Sequence, residues 1–169
     1  HVWSERYDRE MKDIFDVQDE ITLAVVDALK VKLSGEEKDA VLKRYTNNAE
    51  AYQLYLRGRF FFYKRTPEGF TKAVECFEQA IAIDPEYALA VSGLADCYTF
   101  FGFYEALSPE EAKAKAGNAA FRALDLDATL SESQTSVAFY HVIYEWNFAA
   151  AEEHFWKART LNPKYGLTH

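Results

Sequence analysis

The chain has 169 residues and a net charge of −8, and only residues 46–85 balance acidic against basic groups, five of each. An acidic surface with no basic stripe argues against nucleic acid and anionic membrane as partners, and no apolar run approaches the roughly 18 residues of a membrane span. A hydrophobic content of 49% is enough for one sizeable core. Cys76 and Cys97 both fall on predicted helices with no metal-type spacing. They read as small apolar core residues of a protein in a reducing, cytoplasmic compartment.

Residues 1–10 are polar and aromatic, with an alternation that predicts a short extended segment. Asp13 is placed to cap a helix from about Ile14 to Leu33. Its apolar stripe runs Ile14, Val17, Ile21, Val25, Leu29 and Leu33, at three- and four-residue steps. Gly35 can end that helix. Ser34 and Glu37 form a capping box for a short helix to about Tyr45. A stripe of this length calls for a partner surface, which the first repeat or a second copy of the chain could supply.

From residue 46 onward the spacing predicts helices in pairs. Asn47 and Asn48 precede a helix from Ala49 to about Lys64. Thr66-Pro67-Glu68 starts its partner, Pro67 to Ile83. Tyr87 to Phe101 follows. Ser108-Pro109-Glu110-Glu111 is a capping box with proline in the first turn, for a helix ending near Leu126. Thr129 to Tyr144 and Phe148 to Leu161, capped by Asn147, make a third pair. Tyr165 to His169 is where a further helix would begin. The chain starts at His1 without methionine, so it reads as a piece of a longer protein.

One pattern recurs along these pairs. Ala73, Phe77, Ala80 and Pro85 reappear as Ala151, Phe155, Ala158 and Pro163, with a degraded copy at Ala116, Ala120, Ala123 and Ala128. Offsets of four and three put small, aromatic and small residues on one helical face, where the alanines admit a neighbouring helix and the ring fills the gap. The proline then forces the residue before it out of the helical region. Each preceding helix offers apolar, small and aromatic positions: Leu54, Gly58, Phe61; Val91, Leu94-Ala95, Tyr98; and, more poorly, Gln134, Val137-Ala138, His141.

This arrangement resembles the tetratricopeptide repeat. Gly58 to Ala95 spans 37 residues and Ala95 to Ala138 spans 43, longer than the family's period of about 34. The excess falls in loops between the two helices of a repeat, where insertions are tolerated. The resemblance implies an all-α fold, a right-handed solenoid of helical hairpins. Residues 1–45 would form an N-terminal helical segment, and residues 46–169 three repeats, about 49–85, 86–128 and 129–163, with the start of another. It also implies a non-catalytic protein–protein interaction scaffold.

The opening stretch carries a second resemblance. Trp3-Ser4-Glu5-Arg6-Tyr7-Asp8, Asp13-Ile14-Phe15 and Gln18-Asp19-Glu20-Ile21 are similar to the end of the TolB-like domain that precedes repeats in some bacterial signalling proteins. Those proteins often carry a cyclase, a kinase or a DNA-binding winged helix, none of which is present in these residues. The alternative function implied is oligomerisation, or docking that regulates such an attached domain.

No catalytic, cofactor-binding or metal-binding motif is legible. The seven glycines lie singly, which gives no phosphate cradle. His141 and Glu145 are four apart on one helix, but no second pair joins them. His154 beside Glu153 reads as surface charge. The 27 aromatics cluster at Phe60–Tyr63, Tyr98–Tyr104 and Phe139–Phe148. Successive helical residues diverge by about 100°. Phe61, Tyr98, Phe77 and Phe155 are therefore expected in the core, while several of Phe60, Phe62, Tyr63, Phe100, Phe103 and Tyr104 face a groove or partner.

In the solenoid the groove is lined by first helices. By spacing it would carry Tyr55, Arg59, Phe62, Ser92, Asp96, Thr99, Thr135, Phe139 and Val142. No lysine–asparagine set stands there to hold a carboxylate terminus, so an apolar or helical protein segment is the expected ligand. A homo-oligomer through the N-terminal helix or the last repeat is the other expected partner.

Overall fold

A computed structural model describes residues 14–28, 34–35, 42–102 and 107–166. Residues 1–10, the cap at Asp13, the Ser34–Glu37 box, Phe103 and Tyr104 lie wholly or partly outside them. The described residues are all-helical, and among them no helix is long and apolar enough to cross a membrane. The chain divides into two compact units, 1–49 and 50–169.

In the first unit α1 spans Ile14–Ala28. None of its residues is buried, and Ile14, Val17, Ile21 and Val25 are half-buried. Arg44 comes back onto it, donating to Asp16 at 3.1 Å and to Asp19, with its guanidinium 5.3 Å from the Phe15 ring centre.

The second unit holds α2 (Ala49–Phe62), α3 (Pro67–Ile83), α4 (Ala88–Phe101), α5 (Pro109–Leu126), α6 (Ser131–Tyr140) and α7 (Phe148–Leu161). The caps legible in the sequence set these boundaries. Thr66 Oγ1 accepts from the Gly69 amide at 3.0 Å, with Pro67 at the start of α3. Ser108 and Glu111 complete the reciprocal capping box of α5. Asn147 Oδ1 accepts from the Ala150 amide at 3.2 Å. Each satisfies a donor that the first helical turn leaves unmatched.

The helices pack in sequence, α3 on α4, α4 on α5, α5 on α6 and α6 on α7, while α4 also reaches α6. One turn recurs three times, after α3, α5 and α7. The amides of Glu86, Thr129 and Lys164 donate to the side chains of Asp84, Asp127 and Asn162, at 3.2, 2.9 and 3.1 Å. The next amides, of Tyr87, Leu130 and Tyr165, donate to the carbonyls of the same three residues. These are Asx turns, short side-chain mimics of a backbone turn; the first two bury Tyr87 and Leu130, and the third leaves Tyr165 half-buried.

The alanines on the helical faces are core, while Ala128, at the proline position, is exposed. Ala73, Ala80, Ala116, Ala120, Ala123, Ala151 and Ala158 are at most 2% exposed. Phe77 is fully buried and wedged between two glycines: a Cβ at Gly58 or at Gly93 would come within 2.6 Å of its ring. An added methyl at either would gain about 1 kcal/mol of helix propensity, but overpacking costs about 1–3 kcal/mol. With one glycine filled the ring can shift toward the other; with both filled it cannot. Gly58→Ala and Gly93→Ala together should therefore lower stability by at least about 0.5 kcal/mol more than the sum of the single changes. Urea unfolding of the four variants measures this, and a double variant as stable as the parent would contradict the wedge.

Two expectations are corrected in the third pair. Phe155, expected in the core, is only half-buried, because no described element covers the outer face of α7. The helix predicted to run regularly from Thr129 to Tyr144 is α-helical only over Ser131–Tyr140. It then widens into a π-turn, His141–Glu145, and ends at Trp146 with φ of 54°. The wider turn carries Tyr144, whose hydroxyl lies 3.2 Å from the carbonyls of both Tyr98 and Thr99 in the last turn of α4. That is where a helix leaves acceptors without intrahelical partners. In the second pair Ala120 stands where the others have phenylalanine. The ring there is Tyr140 of α6, which packs where a Cβ at Gly117 would be.

Candidate functional site

Four- and three-residue spacing brings the predicted groove residues onto one side of α2, α4 and α6, but not as an open lining. Phe62, Ser92, Asp96, Thr99 and Thr135 are buried, and Tyr55, Arg59, Phe139 and Val142 are half-buried. Phe62 in particular faces the core, edge-on to Phe70 at 5.4 Å and Phe100 at 5.9 Å. Phe60 and Tyr63 are the exposed members of that aromatic run.

What the face holds instead is a polar seam. Arg59 Nη1 lies 3.9 Å from Asp96 Oδ2, and Ser136 Oγ donates to Asp96 Oδ1 at 2.8 Å. Arg59 also donates to the Tyr63 hydroxyl. Ser92 and Ser133 bring their hydroxyls within 3.4 Å, and Ser133 donates to the Ala123 carbonyl at 3.0 Å. The Tyr165 side chain, on the third Asx turn, stands beside Arg59 and Asp96. Desolvation pushes the Asp96 carboxyl up to about 6 against the opposing pull of Arg59 and Ser136. It pushes the Tyr55 hydroxyl up to about 12. Such a seam is strong only when its members are satisfied, and Thr99 Oγ1 is a buried hydroxyl with no hydrogen-bond partner among the described residues.

Ser133, Ser136 and Tyr165 were not expected at this face. A signal did exist: Ser131-Glu132-Ser133-Gln134-Thr135-Ser136 is polar on every side yet occupies a helix that must pack on both neighbours. A buried helix of that composition has to satisfy its hydroxyls internally.

His154 is also corrected. It is half-buried rather than a surface charge, with Nδ1 2.7 Å from Gln134 Oε1 and its ring stacked on His141 at 5.7 Å. Glu153 pairs with Lys157 instead. His141 Nδ1 lies 2.7 Å from Glu145 Oε2, and no group of three metal-type ligands forms among the described residues. Desolvation, then Lys157 and His141, hold the His154 imidazole below its usual range. The unfolded chain therefore takes up this proton first, so its contribution to stability is present above about pH 6.5 and is lost as pH falls through the folded value. His154→Asn should flatten the loss of melting temperature between pH 7 and 5. A parent and variant with parallel profiles would contradict the assignment.

An open apolar surface lies on the last described helix, α7. Val142, Phe148, Ala151, Phe155 and Trp156 line a cleft of about 370 Å³ with Glu152 and Arg159 at its rim. Phe148 and Trp156 are more than half exposed. Of the predicted groove residues, Val142 lines this cleft and Phe139 supports it, edge-on to Phe155 at 5.3 Å.

No family model matches the chain. Over 95 residues, 56% of the chain, it is 38% identical to a protein of Rhizobium meliloti (strain 1021) named "Putative adenylate cyclase 3". The match spans 16% of that protein's length.

Proposed function

We propose that this chain is a tetratricopeptide-like module, a right-handed solenoid of helical hairpins, that binds a protein segment within a larger bacterial cytoplasmic signalling protein. The observation that carries the reading is the apolar cleft of α7, which presents Phe148, Phe155 and Trp156 beside Val142. Contiguous exposed aromatics of this kind mark interaction sites. The threefold Asx turn and the buried alanine positions support a repeat architecture. The partial likeness to a protein named as an adenylate cyclase supports a place in signalling, with the catalytic part elsewhere.

The ligand is an apolar or helical segment that lays its aromatic or aliphatic face against α7. A phage-displayed peptide library selected on the chain should yield such segments. Their binding should weaken about tenfold or more in Trp156→Ala, a loss of about 1.4 kcal/mol or more, with the melting temperature unchanged. Selection of no apolar peptide, or binding indifferent to Trp156, would overturn the reading. Nucleotide turnover is expected at the level of the blank.

A second reading, homo-oligomerisation, is favoured by α1, an amphipathic helix with no buried residue. Light scattering of the chain and of Ile21→Asp separates the two. A monomer at tens of micromolar removes this alternative, and a dimer lost in the variant supports it.

A further inference from the structure

Residues 57–72 gather five of the chain's cations, Arg57, Arg59, Lys64, Arg65 and Lys72, against the single acid Glu68, in a chain of net charge −8. Three of them converge on one ring. Arg57 from α2, Lys64 from the turn after it and Lys72 from α3 place their charges 5.8, 5.3 and 5.6 Å from the centre of Phe61. Lys64 also lies 4.7 Å from the centre of Phe60, which packs edge-on against Phe61 at 5.5 Å. Among the described residues none of these three cations makes an ion pair, whereas Arg44, Arg59 and Lys157 each have a carboxylate.

The ring faces attract the cations, but three like charges around one side chain repel one another and leave a local positive field. The apolar part of the platform is open too, since Phe60 is 61% exposed and Leu56 45%. Glu50 and Gln53 stand with Arg57 along a neighbouring cleft of the same hairpin, so the positive area is narrow.

We infer that the Phe60–Phe61 platform with Arg57, Lys64 and Lys72 is a docking site for a short acidic protein segment, one that offers two or three carboxylates flanking an aromatic side chain. Carboxylates neutralise the three cations, and an aromatic residue covers Phe60. The net negative charge of the whole chain repels an extended polyanion or an anionic bilayer beyond the patch. A segment of a few residues is felt almost entirely by the patch, because charges farther than about 8–10 Å are screened at ordinary salt. This site is on the α2–α3 hairpin and does not depend on the α7 cleft being a binding site.

The probe is a fluorescein-labelled octapeptide of glutamates with two phenylalanines, titrated by anisotropy against the whole chain at 50 mM salt. Saturable binding is expected, weakened about tenfold or more in the triple variant Arg57→Gln/Lys64→Gln/Lys72→Gln and by raising salt to about 0.5 M. Phe60→Ala should weaken it as well. These side chains are exposed, so circular dichroism and melting should match the parent. Absence of binding, equal binding to the triple variant, or tight binding to phosphatidylserine vesicles without binding of the peptide would each overturn the inference.

Discussion

Phe77→Ala should cost about 3–5 kcal/mol of stability, the range for deleting a buried aromatic ring. The upper end is expected because of what surrounds the ring. It has no exposed surface, it contacts Tyr55 at 6.0 Å between ring centres, and two of its walls are the side-chain-free backbones of Gly58 and Gly93. A cavity bounded by helical glycines cannot be refilled by a neighbour's rotamer change. It closes only if α2 and α4 move together, and the helices beside them resist. Since a domain of this kind is stable by only about 5–15 kcal/mol, the variant should melt far below the parent. Phe155→Ala is the control: it stands at the equivalent sequence position but is half-buried, and should cost about 1 kcal/mol. Equal losses at the two positions would show that burial does not set the difference.

The second large effect is electrostatic. The Asp96 carboxyl titrates at about 6 in the fold against 3.8 for the exposed group, chiefly because burial penalises its charge. The folded chain therefore holds a proton that the unfolded chain has released. This contribution is fully present below about pH 4 and is lost as pH rises through about 6, the reverse of an ordinary salt-bridged aspartate. A difference of about two pH units corresponds to roughly 3 kcal/mol. Asp96→Asn cannot titrate, so the stability gap between parent and variant should change by about 2 kcal/mol between pH 7.5 and pH 4.5, in favour of the parent on acidification. His154 works in the opposite sense, so the comparison must be between variants and not along one profile. Parallel profiles would mean that Arg59, 3.9 Å away, fully compensates the burial.

The same residues separate what the sequence makes legible from what it does not. Pro67–Ile83, the end of α5 at Leu126 and Phe148–Leu161 coincide with their predicted limits, because Thr66, Ser108, Asn147 and the prolines act within one helical turn of themselves. The small-residue face was legible for a related reason: alanine at four- and three-residue steps identifies a helix contact before the neighbour is known. Helical spacing gives the predicted groove residues a direction but not a distance. Ser92, Asp96 and Thr99 do share a face with Arg59, but α6 packs close enough to α4 for Ser133 and Ser136 to reach them, and the face closes. The sequence by itself determined which segments of residues 49–161 are helices, where the capped and proline-flanked ones start, and which sides are small enough to pack. Only the tertiary structure decided that Asp96 is buried, that Phe155 is half-open where Phe77 is sealed, and that three cations meet over Phe61. Those properties depend on neighbours from other helices, and capping and periodicity carry no information about them.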